Sequence, residues 1–102
     1  MSVLFEFAMF PTDKGESVSP FVSRIINMIR ESKADYKLTP MGTVVETETL
    51  AQALAIIEKA HTLLEPDCNR IYCAVKFDIR KGKTGRMLQK IRSVEEKIGK
   101  VN

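Results

Sequence analysis

Apolar and polar positions along the first ten residues follow a period of two. Val3, Phe5, Phe7 and Met9 form one apolar row. Leu4, Glu6, Ala8 and Phe10 form a second row, interrupted by a single carboxylate. This alternation predicts a strand over Val3–Phe10, and a strand apolar on both faces is usually central in its sheet. Pro11–Glu16 reads as a polar loop. Ser19 is then placed to cap a helix and Pro20 to take its first position, where a missing N–H costs nothing. Val22, Ile25, Ile26 and Ile29 recur at helical spacing, and the pattern fades around Ser32–Asp35.

Tyr36–Thr39 and Thr43–Glu46 are two short strand patterns around Pro40-Met41-Gly42. Pro fixes φ at the start of such a turn, and Gly is expected to supply a positive φ near its exit. Thr49 and Gln52 form a capping box that opens a second helix. Leu50, Ala53, Leu54, Ile57, His61 and Leu64 lie on its apolar side, and Pro66 closes the segment. In Arg70–Ile79, the residues Ile71, Cys73, Val75, Phe77 and Ile79 alternate with Tyr72, Ala74, Lys76 and Asp78. This predicts a strand with one face in the core and the other amphipathic. After Gly82 and Gly85, the residues Leu88, Ile91, Val94/Glu95 and Ile98 make a basic C-terminal helix.

The order β-α-β-β-α-β, followed by α, predicts the α+β class. The expected fold is a ferredoxin-like antiparallel sheet with an added C-terminal helix, one domain over residues 1–102. In the usual strand order the first strand lies between the third and fourth. The helix-free face then shows Leu4, Glu6, Ala8 and Phe10 beside Tyr72, Ala74, Lys76 and Asp78. Leu4, Phe10 and Tyr72 are too apolar to be left in water as one patch, so this face is expected to pack on another subunit.

Composition narrows the functional classes. Hydrophobic content of 44% and charged content of 28% are ordinary for a globular chain. No apolar run reaches the ~20 residues that span a bilayer. The N-terminus has no basic region and carries Glu6 in mid-run, so it reads as a strand, not a signal peptide. A cytoplasmic protein with no membrane partner is the expectation. Cys68 and Cys73 would stand about 16 Å apart in an extended chain, too far for a disulfide. With one histidine in the chain, no metal site is expected. Cys73 is expected to be buried as a small hydrophobe, with Cys68 in a loop.

The net charge of +3 is uneven: residues 80–102 hold eight Lys/Arg against two Glu. Such a basic tail is usually solvated or meets acidic surface on another subunit. RNA-recognition folds of this topology stack bases on aromatics of the first and third strands, and here the third strand has none. No nucleic-acid partner is expected. Gly82-Lys83-Thr84 lacks the upstream glycine of a phosphate loop, because that position is Phe77.

Few residues suggest chemistry. No nucleophile–base pair or metal set is visible, so no catalytic residue is assigned and no cofactor is implied. Glu6 on a drying face needs a partner, which could be a ligand cation or amino group, Lys76, or a group across a dimer. Ser19, Thr39 and Thr43 place hydroxyls near one end of the sheet, where a helix N-terminus also points its N–H groups. Met41 and Phe10 could sandwich a flat ring, though turn and core packing explain them equally. His61 reads as a histidine at the edge of the core.

The stretches SVSPFV, LTPMGT, DIRKGK and SVEEKIG, with FEF, His61 and RIYCAVKFDIR, resemble the small thiamine-binding protein family over nearly the whole chain. The resemblance implies a ferredoxin-like subunit, dimers pairing into tetramers, no enzymatic activity, and a pocket for thiamine or its hydroxymethylpyrimidine portion. Glu6, Ser19, Thr39, Met41, Gly42 and Thr43 fall at positions resembling the family motifs, and Phe10 joins them as a candidate ring contact. One departure is Ser32-Lys33-Ala34, where relatives often have Ser-Gly, so a helix-stop glycine is missing. The function expected is therefore a non-enzymatic binding protein. The alternative is an oligomeric regulatory or interaction module whose partner is a protein.

Overall fold

The computed structural model describes all 102 residues. Its elements are β1 (Ser2–Pro11), α1 (Ser19–Ser32), β2 (Asp35–Thr39), β3 (Gly42–Thr47), α2 (Leu50–Leu64), β4 (Ile71–Arg80) and α3 (Arg86–Ile98). The four strands form one antiparallel sheet in the order β2-β3-β1-β4. This is the ferredoxin-like fold with an extra C-terminal helix. No helix is long and apolar enough to cross a membrane.

The register explains which residues meet. Phe7 pairs with Thr43 on one side and Val75 on the other, and Leu38 pairs with Thr43. These residues share the face covered by α1 and α2. Val3, Phe5, Phe7 and Val45 from that face close on Ile25, Ile29, Ala53, Ala60 and Leu64 of the two helices, all at most 2% exposed. Glu6 pairs with Val44 and Lys76, and Phe10 with Tyr72, on the helix-free face. The Phe10 and Tyr72 rings lie 5.4 Å apart there.

Several expectations change. The buried stripe of α2 is Ala53, Ile56, Ala60 and Leu64, while Leu50, Leu54 and His61 are exposed and Ile57 is half-buried. α2 is apolar around more than a third of its circumference, and periodicity alone did not separate the core stripe from the flank beside it. The expected core face of β4 is also open: Cys73, Val75, Phe77 and Ile79 are all exposed. The helices sit over β1 and β3, so an edge strand beyond them lacks a cover. Cys68 lies in a loop as expected, between α2 and β4, and is buried against the core there.

The start of α1 also differs in detail. Val18 is the N-cap residue with no side-chain cap, and Ser19 and Pro20 are the first two helical residues. Thr49 does cap α2: its side chain accepts from the Gln52 N–H, and the Gln52 side chain accepts from the Thr49 N–H. The missing stop glycine has a visible consequence. Lys33 closes α1 with φ at 63°, and it is the only non-glycine residue with positive φ. A left-handed residue with a Cβ costs roughly 1–2 kcal/mol. Lys33→Gly relieves this while adding some unfolded-state entropy. The variant is expected to be more stable by about 1 kcal/mol, read as an upward shift in urea midpoint.

α3 is attached almost entirely by its first turn. The Glu46 carboxylate accepts the backbone N–H groups of Arg86 and Met87, both at 3.1 Å. The Arg86 guanidinium, 3% exposed, pairs with the Asp78 carboxylate at 3.0 Å. It also donates to the Ser2 hydroxyl at 2.8 Å and to the carbonyls of Ser2 and Asp78. Beyond this anchor, Leu88, Val94 and Ile98 are exposed. The Cα radius of gyration is 14.9 Å, against about 13 Å for a compact chain of this length. The helix therefore leads away from the body instead of packing along it.

Candidate functional site

The best-formed recess lies where three elements converge at one end of the sheet. The last residues of β1, the first half of α1 and the β2–β3 hairpin enclose a cavity of about 220 Å³. Phe7 and Met9 form its floor, Val22, Ile25 and Ile26 its helical wall, and Leu38 with Pro40-Met41-Gly42 the hairpin side. No charged side chain lines it. It follows from chain geometry: α1 crosses the sheet after a loop of seven residues, Thr12–Val18, and leaves the sheet end open beside the hairpin.

Five of the seven candidate residues, Phe10, Thr39, Met41, Gly42 and Thr43, line this cavity. Thr43 is 5% exposed, and no side-chain polar atom that is fully shut off from solvent lacks a hydrogen-bond partner, so its hydroxyl is either bonded or reachable from the cavity it lines. It stands in the row between Leu38 and Phe7, under α1. Met41 is 85% exposed and stands at the rim. The cavity thus has a largely apolar lining that includes the neutral Thr43, and a flexible thioether at its mouth.

Thr39 has a different occupation. Its hydroxyl donates to the Gly42 carbonyl at 2.7 Å and accepts from the Met41 and Gly42 N–H groups at 3.3 and 3.2 Å. It builds the turn that shapes the rim. Gly42 is also not there for the expected reason, since its φ is not among the positive values. A Cβ at Gly42 would lie 3.1 Å from the Phe7 carbonyl oxygen and 3.4 Å from Glu6 Cγ. The glycine allows the hairpin to lie close against β1.

Glu6 and Ser19 stand apart from the cavity. Glu6 is on the helix-free face, with its carboxylate 3.2 Å from Lys76 Nζ. Ser19 faces outward near Ser17, with 3.5 Å between the two hydroxyls. His61 is exposed, 3.9 Å from the Glu65 carboxylate. No cluster of His, Cys, Asp and Glu could hold a metal ion.

Sequence reasoning missed the apolar walls. Val22, Ile25 and Ile26 were legible as core positions, yet nothing in their spacing shows that part of this core is hollow, and Leu38 was legible only as a strand residue. The missed polar group is Glu46, which with Arg86 forms the buried anchor of α3. Burial works against ionisation of Glu46, but the N–H groups of Met87 and Arg86, the Ser2 hydroxyl and the Arg86 charge outweigh it and hold the carboxyl below its ordinary range. Hydrogen bonds from Lys90 and Arg86 likewise lower Asp78.

Comparison with known proteins places the chain. The family model described as "Thiamine-binding protein" matches residues 5–95. A UPF0045 protein of Mycobacterium bovis is 34% identical over 95 residues, which is 93% of each chain. A UPF0045 protein of Methanocaldococcus jannaschii is 30% identical over 94 residues, 92% of this chain and 93% of its own. A crystal structure of a hypothetical protein from that archaeon superposes with a TM-score of 0.81 at 31% identity, covering 93% of this chain and 97% of the other. A Thermotoga maritima protein, provisionally assigned to thiamine biosynthesis or salvage, shares the fold with a TM-score of 0.79 at 18% identity, covering 92% and 99%.

Proposed function

We propose that this chain, which belongs to the thiamine-binding protein family, is a non-enzymatic binding protein for thiamine or its hydroxymethylpyrimidine moiety. The observation that carries the reading is the cavity beneath α1, lined by apolar side chains and by the buried Thr43. Its volume of about 220 Å³ leaves room for a substituted six-membered ring. An uncharged lining suits a neutral aminopyrimidine and would strand a phosphate or a thiazolium cation. The cationic ring of thiamine would remain at the mouth beside Met41.

In this reading Met41 and Gly42 shape the opening, Thr39 holds the hairpin, and Thr43 reads a ring heteroatom; Phe10 borders the cavity, but its ring lies on the helix-free face against Tyr72. Glu6 and Ser19 lie outside the cavity and do not touch the ring. The protein works as a homo-oligomer, a tetramer built as a dimer of dimers. The half-buried Leu4, Ala8 and Phe10 beside exposed Tyr72 form the face that supports assembly. The absence of any nucleophile–base pair supports recognition in place of turnover, and neither nucleic acid nor membrane is a partner.

Thermal unfolding with thiamine, thiamine phosphates and hydroxymethylpyrimidine tests this directly. A ligand of the folded state at a hundredfold its Kd stabilises by about 2.7 kcal/mol. Hydroxymethylpyrimidine and thiamine are expected to raise Tm to similar extents at equal saturation. No shift with any of these compounds would favour the interaction-module alternative.

A further inference from the structure

The side of α3 turned toward the end of β4 is polar. Arg86, Gln89, Lys90 and Ser93 recur at i, i+3, i+4 and i+7, so they share one face of the helix. By the same 3.6-residue repeat Leu88, Ile91 and Ile98 fall on the other side. A helix that packs along its own domain shows that domain an apolar stripe. Here the facing stripe is hydrophilic. Together with Arg80 at the end of β4 and Lys83 in the following loop, it walls a recess of about 400 Å³. Val94 is the one apolar residue on it.

The recess gathers more positive charge than the chain neutralises. Arg80, Lys83, Arg86 and Lys90 supply four cations. Two carboxylates answer them. Asp78 pairs with Arg86 at 3.0 Å and with Lys90 at 3.2 Å, and Glu46 accepts the Arg86 backbone N–H beside the same guanidinium. Arg80 and Lys83 take part in none of the chain's five ion pairs. Like charges held around one hollow repel, and an anion between them relieves the repulsion.

We propose that this recess is a binding site for a small phosphate-bearing anion, a phosphate monoester or a diphosphate. The unmatched positive charge is that of Arg80 and Lys83, and a phosphate monoester carries about −1.5 to −2 at pH 7 on strongly accepting oxygens. Arg80 borders the site from the strand end, Lys83 from the loop and Lys90 from α3, while the Gln89 amide and Ser93 hydroxyl add neutral donors. A single carboxylate would leave part of this set idle. A nucleic-acid backbone spreads its charge along an extended line, whereas these cations surround one concave spot. The α3 N-terminus is not the attraction, because the Arg86 and Met87 N–H groups are already held by Glu46. The site is also distinct from the apolar cavity. Arg80 pairs with Ser2, while the cavity begins at Phe7, about 17 Å along β1. The two sites therefore take separate ligands.

Calorimetry and amide NMR on the full chain, with inorganic phosphate and pyrophosphate at fixed ionic strength, test it. Both anions are expected to bind saturably, pyrophosphate the more tightly. Arg80→Gln and Lys83→Gln change exposed positions, so each should keep the parent circular dichroism. Each is expected to weaken pyrophosphate binding about tenfold or more, the scale of one charge-assisted hydrogen bond. Arg92→Gln removes the same charge from another side of α3 and should change affinity less than about twofold, since a remote exposed charge is screened. Amide shifts on titration should be confined to Arg80–Val94. Failure of both anions to bind would overturn the proposal. Equal weakening in Arg92→Gln would overturn it too, by marking a general attraction to net positive charge. Amide shifts centred on Phe7 and Thr43 would place the anion in the cavity instead, and an oligonucleotide that binds where pyrophosphate does not would replace the small anion with nucleic acid. Hydroxymethylpyrimidine is titrated separately, so failure of either site leaves the other standing.

Discussion

Glu46→Leu is expected to free α3 and to cost about 3 kcal/mol of the stability of its attachment. Two buried N–H groups, those of Arg86 and Met87, lose their only acceptor. Each stranded donor costs roughly 1–3 kcal/mol. The Arg86 guanidinium also loses a nearby negative charge. Against a typical domain stability of about 5–15 kcal/mol this is a large fraction. The damage should be local, however, because α3 is held to the body by its first turn and the exposed Lys90–Asp78 ion pair. We therefore expect amide exchange over Arg86–Ile98 to accelerate a hundredfold or more while β1 stays protected. Glu46→Gln keeps one acceptor oxygen and should fall between the two.

The same anchor makes α3 acid-sensitive. The folded-state pKa of Glu46 lies below its ordinary value of 4.5. Its stabilising contribution is therefore complete above that value, declines as pH falls below it, and is gone once pH passes the lowered folded value. Asp78 acts in the same direction from its ordinary 3.8. Between neutral pH and about pH 5, α3 attachment should be flat in pH. Below about pH 4.5 it should weaken, and this dependence should shrink in Glu46→Gln. Helicity and exchange of α3, followed from pH 7 to pH 3, give the comparison. Equal acid sensitivity in parent and variant would assign the loss to other carboxylates.

The anchor also shows where reading from sequence stops. Periodicity placed all seven elements, because each burial stripe is a local pattern. The Glu46–Arg86 contact joins residues forty positions apart. Glu46 looked like the polar end of a strand, and Arg86 like one of eight basic residues in a solvated tail. The candidate site divides similarly. Turn chemistry located the Pro40-Met41-Gly42 hairpin that borders the cavity, but not the hollow itself, which depends on how far α1 stands off the sheet. Alternation in β4 was read correctly as a strand, and its apolar row was then given to the core of its own chain. Alternation does not say whether a helix covers the row; the position of α2 over β1 leaves it open.

Val22→Phe is expected to abolish most ligand binding without unfolding the protein. Val22 is half-buried on the α1 wall of the cavity, so a larger side chain can grow into space that is already empty. Overpacking of a filled core costs roughly 1–3 kcal/mol, and a void lowers that cost. A ring that takes the ligand's place in a cavity of about 220 Å³ should raise Kd at least a hundredfold. Thr43→Val is the finer probe. It keeps shape and removes one neutral hydrogen bond, which is worth about 0.5–1.5 kcal/mol, so Kd should rise about two- to tenfold. Glu6→Gln, on the opposite face, should leave affinity unchanged in an oligomer of parent mass. Calorimetry with hydroxymethylpyrimidine on the three variants separates the possibilities. Unchanged affinity in Val22→Phe would remove the cavity as the site. A loss confined to Glu6→Gln would move the ligand to the helix-free face, where its amino or cationic group would replace Lys76 as the partner of that carboxylate.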